Sequence, residues 1–531
     1  MPSSTESLPA AKPSESVGRS ATLVAAGMFL SKIAGLLRET VVAHYFGSSD
    51  VADVFRAAVR IPNFLQNLFG EGVLSASFIP VYVRLRTRGE EEAASDLADA
   101  IASLLALVTS ILVLIGVLAT PYIIDAIAPG FHGAKRELTI RLVRIFFPGA
   151  GLLVMSAWCL GILNSHRKFF LSYAAPIAWS ATMIATMIIF GRTRDEDSLA
   201  VITAWGSVIG NALQFGVQLP LTLRLVRRLR VQLGLKLAAV REVIHNFFPV
   251  LISRGVVQLS AYIDAMIATL LPTGAVAHFG YAQVINQLPV SLFGMSVSAA
   301  ELPAMSGALG TEAEVAAQLR GRLGRGLRQI AFLVIPSAIA FLTLGDIISA
   351  AIYQTGRFKH SDAIYVWAVL AGSAIGLLAS TLGRLYSSTY YALRDTRTPL
   401  RFAIVRVALT TVLGLFCALR LPQMIGISRS WGVAGLTASA GIAGWAEFLL
   451  LRWKLHQRIG AVQPASAFLA KLWLAAALSA GGAWGIKLAI GHHRPLIMAV
   501  AILIPYSLVY FGITSLLKIP EAQTVLKRLK R

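Results

Sequence analysis

Long apolar stretches separated by short polar connections recur along the chain from residue 20 to residue 517. A helix needs about 20 apolar residues to cross a bilayer, and counting such stretches gives roughly fourteen. They lie near 20–46, 51–84, 95–127, 138–163, 170–191, 198–223, 246–271, 275–305, 329–353, 362–391, 400–420, 431–451, 465–489 and 495–517. The pattern predicts an all-α polytopic membrane protein of about 14 transmembrane helices. Residues 1–16, MPSSTESLPAAKPSES, are rich in Ser, Pro and Glu and read as part of a disordered tail over 1–18. The apolar run after Arg19 is as long as a span and lacks a small-residue cleavage site, so it reads as a first helix and not as a signal peptide.

Composition agrees. The 531 residues are 56% hydrophobic and only 14% charged, whereas a soluble chain averages about 25% charged. The net charge of +22 would suggest nucleic-acid binding in a soluble protein; in a polytopic one it has to be located first. Basic residues crowd into alternate connections: RLRTR (84–88), HRK (166–168), RLVRRLR (224–230), RGRLGRGLR (320–328), RDTRTPLR (394–401), RWKLHQR (452–458) and the tail KRLKR (527–531). These, with Lys12, Arg19 and their neighbours, hold about 28 basic residues against about nine in the other connections, which by the positive-inside rule puts both termini in the cytoplasm. Most of the charge therefore sets topology beside anionic lipid, and no nucleic-acid partner is expected.

An internal repeat is visible. NLFGEGVLSASFIP (67–80) resembles SLFGMSVSAAELP (291–303), and at the same offset Phe55, Ala58 and Ile61 recur as Phe279, Ala282 and Ile285. Six spans separate the copies, so the chain reads as two pseudo-symmetric six-helix lobes, 19–230 and 231–460, around a central cavity. Two further helices over 461–518 and a basic tail over 519–531 follow.

Basic residues left within spans or at their ends include Lys32, Arg38, Arg56, Arg60, Arg141, Arg144, Arg254, Arg384 and Lys487. Each costs about 2.5–3.5 kcal/mol at the centre of a lone helix, so each should meet water, a countercharge or a ligand. Arg141, Arg144 and Lys487 lie close to span ends and read as interfacial. In the second span Asp53, Arg56, Arg60, Asn63, Asn67 and Glu71 recur every three or four residues and share a helical face. In the first, Lys32 and Glu39 share a face beside Arg38, and Gly35 leaves room for a neighbour. Pro62 is expected to bend the striped helix and Pro289 the matching one of the other half. Cations in a broken-helix cavity suit an anionic ligand, phosphate above all. Catalytic and metal residues are expected to be none: the chain has no GxxxxGK[ST], HExxH, CxxC or GxSxG motif, and Cys159 and Cys417 both lie in apolar segments.

The residues SKIAGLLRETVVAHYFG (31–47), DVFRAAVRIPNFLQNLFGEGVLSASFIPVY (53–82), APGF (128–131), ILNSHRKFFLSYAAP (162–176), YQTGRF (353–358) and YYALRDTRTP (390–399) resemble the MurJ (MviN) lipid II flippases. These belong to the multidrug/oligosaccharidyl-lipid/polysaccharide exporter superfamily. The resemblance implies a non-enzymatic transporter of the bacterial inner membrane. It would move an undecaprenyl-pyrophosphate glycolipid between leaflets by alternating access, with the last two helices forming a groove for the lipid tail. It places the family's first basic site on Lys32 and its Arg-acid pair on Arg38 and Glu39. The second-helix aspartate falls on Asp53, a basic position on Arg60, the GEG glutamate on Glu71 and a tenth-helix cation on Arg384. Two family arginines are absent, replaced by Gln66 and Val284, and Arg56 and Arg254 are the cations available to stand in. Membrane potential or a Na+ gradient is implied as driving force. The eleventh span, FAIVRVALTTVLGLF, has no Asn or Asp, which favours potential. No cofactor is expected, and a monomer working beside cell-wall synthesis or division proteins is. The alternatives are a flippase for another polyprenyl-linked oligosaccharide and a non-transporting cell-wall scaffold.

Overall fold

The computed structural model describes residues 15–226, 230–307, 310–462, 466–491 and 493–529, with the side chains of 15–25, 71, 72, 252–261 and 525–529 outside that description. Among the described residues every regular element is a helix. Among the described residues twelve helices are long and apolar enough to cross a membrane, where the sequence suggests about fourteen. The other two expected spans fall on Glu15–Phe46 and Ala238–Thr269, each 32 residues long. Both carry internal charges, Lys32, Arg38 and Glu39 in one and Arg241, Glu242, Arg254 and Asp264 in the other. The chain forms two compact units.

The first unit comprises residues 1–41, 58–124 and 136–259. Its core surrounds Trp158 of helix Gly133–Ser165, whose indole N–H donates to the Ala98 carbonyl at 3.2 Å, with Phe78, Leu97 and Ile162 buried alongside. Pro121 within helix Glu91–Ile127 has no N–H for the carbonyl of Val117, and the Arg144 Nε donates to that oxygen at 3.3 Å. Arg144, expected at the interface, thus closes a helix ladder. Where the turn between two spans passes, the Tyr82 hydroxyl lies 3.0 Å from the His166 Nε2. Burial, helped by the charge of Arg86, pushes the His166 imidazole down to about 4. A free histidine titrates near 6.5, so the unfolded chain takes up this proton first and stability falls as pH drops from about 6.5 towards 4. We expect the His166 ring signals in an NMR titration to stay those of a neutral imidazole down to about pH 4; a midpoint near 6.5 would contradict the burial.

The second unit comprises residues 42–57, 125–135 and 260–531. Helices His360–Ala392 and Gly432–Ile459 touch through glycines: a Cβ on Gly376 would come 2.3 Å from the Gly441 Cα. The pair Ser466–Ile490 and Pro495–Leu516 packs on helix Glu312–Tyr353. Lys487, in the last turn of Ser466–Ile490, pairs there with Asp346 at 2.6 Å. Pro336 strips the Phe332 carbonyl of its donor, and the Tyr510 hydroxyl supplies one at 2.7 Å.

Two expected interruptions differ in kind. Helix Asp50–Phe69 runs through Pro62 and breaks at Gly70, where a Cβ would strike the Gln66 carbonyl at 2.1 Å. In the other half Ala275–Pro289 ends on its proline and passes into a π-helical segment, Val290–Met295, that holds Gly294. Gly70 and Gly294 are the same position of the repeat. The backbone turn at residue 70 has no space for a side chain, so only glycine fits it.

Candidate functional site

Asp53 sits in the first turn of Asp50–Phe69, buried to 1% exposure. Its carboxylate accepts hydrogen bonds from the backbone N–H groups of Gly274 and Ala277, both at 2.8 Å, and pairs with the Lys135 ammonium at 2.8 Å. Gly274, in left-handed conformation at φ 88°, opens helix Ala275–Pro289. The first N–H groups of a helix lack partners and carry its positive dipole end, so a carboxylate from elsewhere in the chain is a fitting cap. Ala277 lies 224 residues beyond Asp53, the spacing of the repeat, so equivalent helix starts of the two halves meet here. Asp50 extends the cluster, accepting from Lys135 and from the Thr273 hydroxyl, each at 2.7 Å.

One turn on, the Arg56 guanidinium lies 4.3 Å over the Tyr281 ring, and a Cβ on Gly280 would come 3.0 Å from the Arg56 Cδ. Tyr281 donates to the Gly47 carbonyl at 2.8 Å, and Tyr353 donates to the Tyr281 carbonyl at 3.2 Å. Gly47 and Gly356 both adopt left-handed turns, Gly47 packed against Arg357 and Gly356 against His44, and the Arg357 N–H donates to the His44 carbonyl at 2.9 Å. Ser48 donates to Asp362, whose carboxylate is 3.6 Å from the His278 Nε2. These contacts tie residues 42–57 and 125–135 to residues 260–531. Here Asp53 and Arg56, both expected among the ligand-binding residues, meet these protein groups, since a buried carboxylate and guanidinium take complementary partners.

In the first unit Arg38 pairs with Glu39 at 2.7 Å and lies 4.1 Å over the Trp179 ring. Lys32 is exposed on the same helix. Gly35 faces open space, with nothing within 4 Å of a Cβ; the close approach on this helix is at Gly27, against Tyr173. Arg60 and Asn63 are half-buried. Further along the stripe, Gln66 and Asn67 line a cavity of about 650 Å³ together with Ser75, Ser156, Gln214 and Gln218. None of its described lining residues ionises. Arg384, exposed on His360–Ala392, lies in the field of Arg406 and Glu447, themselves paired at 3.1 Å. The side chains of Glu71 and Arg254 lie outside the described residues. Among the described residues no three His, Cys, Asp or Glu side chains are grouped to hold a metal ion.

Lys135, Tyr281 and Trp179 were missed by sequence reasoning. Lys135 lies in a short connection whose charge reads as topology, and nothing in the chain's periodicity pairs it with Asp53. The quoted segments did contain a signal: HYFG (44–47) and YQTGRF (353–358) meet through Gly47 and Gly356.

The family model described as "Lipid II flippase MurJ" matches residues 42–504. The chain belongs to the MurJ lipid II flippase family. It is 30% identical over 449 residues to a lipid II flippase MurJ of Burkholderia cenocepacia, covering 83% of this chain and 84% of that protein. A probable lipid II flippase MurJ of Rhizobium tropici is 29% identical over 439 residues, 81% of this chain and 79% of that one. Among solved structures, a MurJ in an inward closed conformation superposes with a TM-score of 0.78 at 22% identity, covering 93% of this chain and 98% of the other. An inward-facing transporter of the multidrug-resistance MATE family gives 0.63 at 14% identity, covering 82% and 98%. These two likenesses show a shared fold. As a MurJ family member the chain is a multi-pass membrane transporter and not an enzyme.

Proposed function

We propose that this protein carries lipid II, the undecaprenyl-pyrophosphate-linked peptidoglycan precursor, from the inner to the outer leaflet of the bacterial cytoplasmic membrane. The observation that supports this is the family match across 42–504, which takes in the IPN and GEG segment (61–72). The finer reading has fourteen membrane helices with both termini in the cytoplasm. Lobes over 19–230 and 231–460 alternate in access, and residues 461–518 hold the polyprenyl tail. Lys32, Arg38 and Arg60, with Arg254, are the cations that would meet the pyrophosphate, and Arg56 and Asp53 belong to the contacts that must part for outward release. A ligand drives such a change only by binding the two states differently. Membrane potential, at about 2.3 kcal/mol per charge per 100 mV, is the driving force favoured for a cationic carrier. A second reading, transport of another polyprenyl-linked oligosaccharide, is favoured by Gln66, an amide in an uncharged cavity.

Depletion of the protein should leave lipid II accumulated on the inner leaflet, with rescue by the wild type but not by Arg38→Glu, which still inserts. Unchanged lipid II beside a rising level of a different glycolipid would establish the second reading.

A further inference from the structure

Residues 230–237, RVQLGLKL, lie between helices Glu196–Val226 and Ala238–Thr269 and form no helix of their own. They make a strap pinned near the start of helix Glu91–Ile127, all within the first unit. The Arg230 N–H donates to the Asp99 Oδ2 at 3.1 Å and the Gln232 N–H to the Ser103 hydroxyl oxygen at 3.2 Å. The Gln232 side-chain amide donates to the Asp96 carbonyl at 3.2 Å. Gly234 turns at φ 56° so close to the same helix that a Cβ would lie 2.7 Å from the Ala100 Cβ. With Gln232 and Gly234 held inward, the alternate positions turn out: Val231 is 95% exposed, Leu233 45% and Leu235 53%.

The helix beneath says what covers this apolar row. Asp96, Asp99 and Ser103 fall on one helical stripe that continues as Leu107, Ile111, Leu114 and Leu118, all exposed, in a helix long and apolar enough to span the membrane. From Leu107 onward that stripe has lipid as its neighbour. Leu107 is four residues past Ser103, about 6 Å along the axis, so the strap runs at the level where lipid contact begins. Its charge fits the same surroundings. Arg224, Arg230, Lys236 and Arg241 are exposed around it, the Arg241 guanidinium donating to the Lys236 carbonyl at 2.9 Å, and Arg227 and Arg228 precede it in sequence. Carboxylates nearby are engaged, Asp96 and Asp99 by the strap and Glu242 by Arg84. We propose that residues 230–237 are a bilayer-interface anchor for anionic phospholipid. Val231, Leu233 and Leu235 dip among the upper acyl chains and the flanking cations meet the lipid phosphates, each strengthening the anchorage about fivefold.

The test uses the full chain with Cys159 and Cys417 replaced by alanine and one environment-sensitive fluorophore attached through Leu233→Cys. It is reconstituted in nanodiscs of phosphatidylcholine with or without about one third phosphatidylglycerol. In the anionic nanodiscs the label should be quenched by a phospholipid carrying a nitroxide high on its acyl chain and shielded from acrylamide in the water. Omitting phosphatidylglycerol should expose it to acrylamide. Lys236→Gln should shift the ratio of lipid-buried to water-exposed label about fivefold toward water. Leu235→Asp, at an exposed position that leaves the pins to Asp96, Asp99 and Ser103 in place, should expose the label while the melting temperature stays that of the parent. Free access of acrylamide in both lipid compositions overturns the proposal, as does nitroxide quenching that is the same with and without phosphatidylglycerol. Shielding from acrylamide without nitroxide quenching also overturns it, since protein and not lipid would then cover the strap.

Discussion

Replacing Lys135 by methionine should destabilise the protein by about 3–5 kcal/mol, more than replacing its partner Asp53 by asparagine. The asymmetry follows from what each change leaves behind. Without Lys135 the Asp53 carboxylate, 1% exposed, keeps two backbone N–H groups but no cation. Without the Asp53 charge, Lys135 still has Asp50 at 2.7 Å, and the asparagine carbonyl still accepts from one of the two N–H groups. Its amide then faces the other, a loss of about 1–3 kcal/mol. The double variant should be more stable than Lys135→Met alone, since the orphaned charge is gone. Unfolding in mixed detergent, followed by circular dichroism, measures all three. If Asp53→Asn proves the more damaging, or if the two changes simply add, the ion pair is not what stabilises this cluster.

The second large effect is expected at Gly376. Helices in lipid have no hydrophobic drive to associate, so they rely on close backbone approach at small residues. A Cβ on Gly376 would lie 2.3 Å from the Gly441 Cα, and one on Gly441 would lie 2.8 Å from the Gly376 nitrogen. Both obstructions are main chain and cannot rotate aside. Gly372, one turn earlier, is equally tight against the Ala434 carbonyl at 2.5 Å. Gly376→Leu should therefore force the two helices apart at a cost of about 3 kcal/mol, and Gly383→Leu, where a Cβ meets nothing within 4 Å, should cost little. Thermal melts of the detergent-solubilised variants decide it: similar melting temperatures for both would refute the packing argument.

The helical membrane architecture was legible because a bilayer makes length and hydropathy nearly sufficient. The two spans beyond the twelve fall on helices whose side chains are described only in part, 26–46 in one and 238–251 with 262–269 in the other. The polar stripe from Asp53 to Asn67 was legible too, but its environment was not. Period fixes which residues share a face; it does not say that Asp53 caps a helix 224 residues away while Asn67 lines a cavity. Gly35 misled for the same reason, since a glycine permits close approach without securing it. Lys135 went unread because a charge in a short loop and a charge that pairs into a buried cluster look alike in one dimension.

Prolines 121 and 336 each remove a donor from their own helix, and Arg144 and Tyr510 return it from another. Such a debt has a timetable. Arg144 follows Pro121 within one helical hairpin, so the first unit can repair its break as soon as that hairpin has inserted. Tyr510 comes 174 residues after Pro336, so the Phe332 carbonyl waits through the insertion of every later span. The break at Pro336 therefore closes only when Pro495–Leu516 has been synthesised and docked.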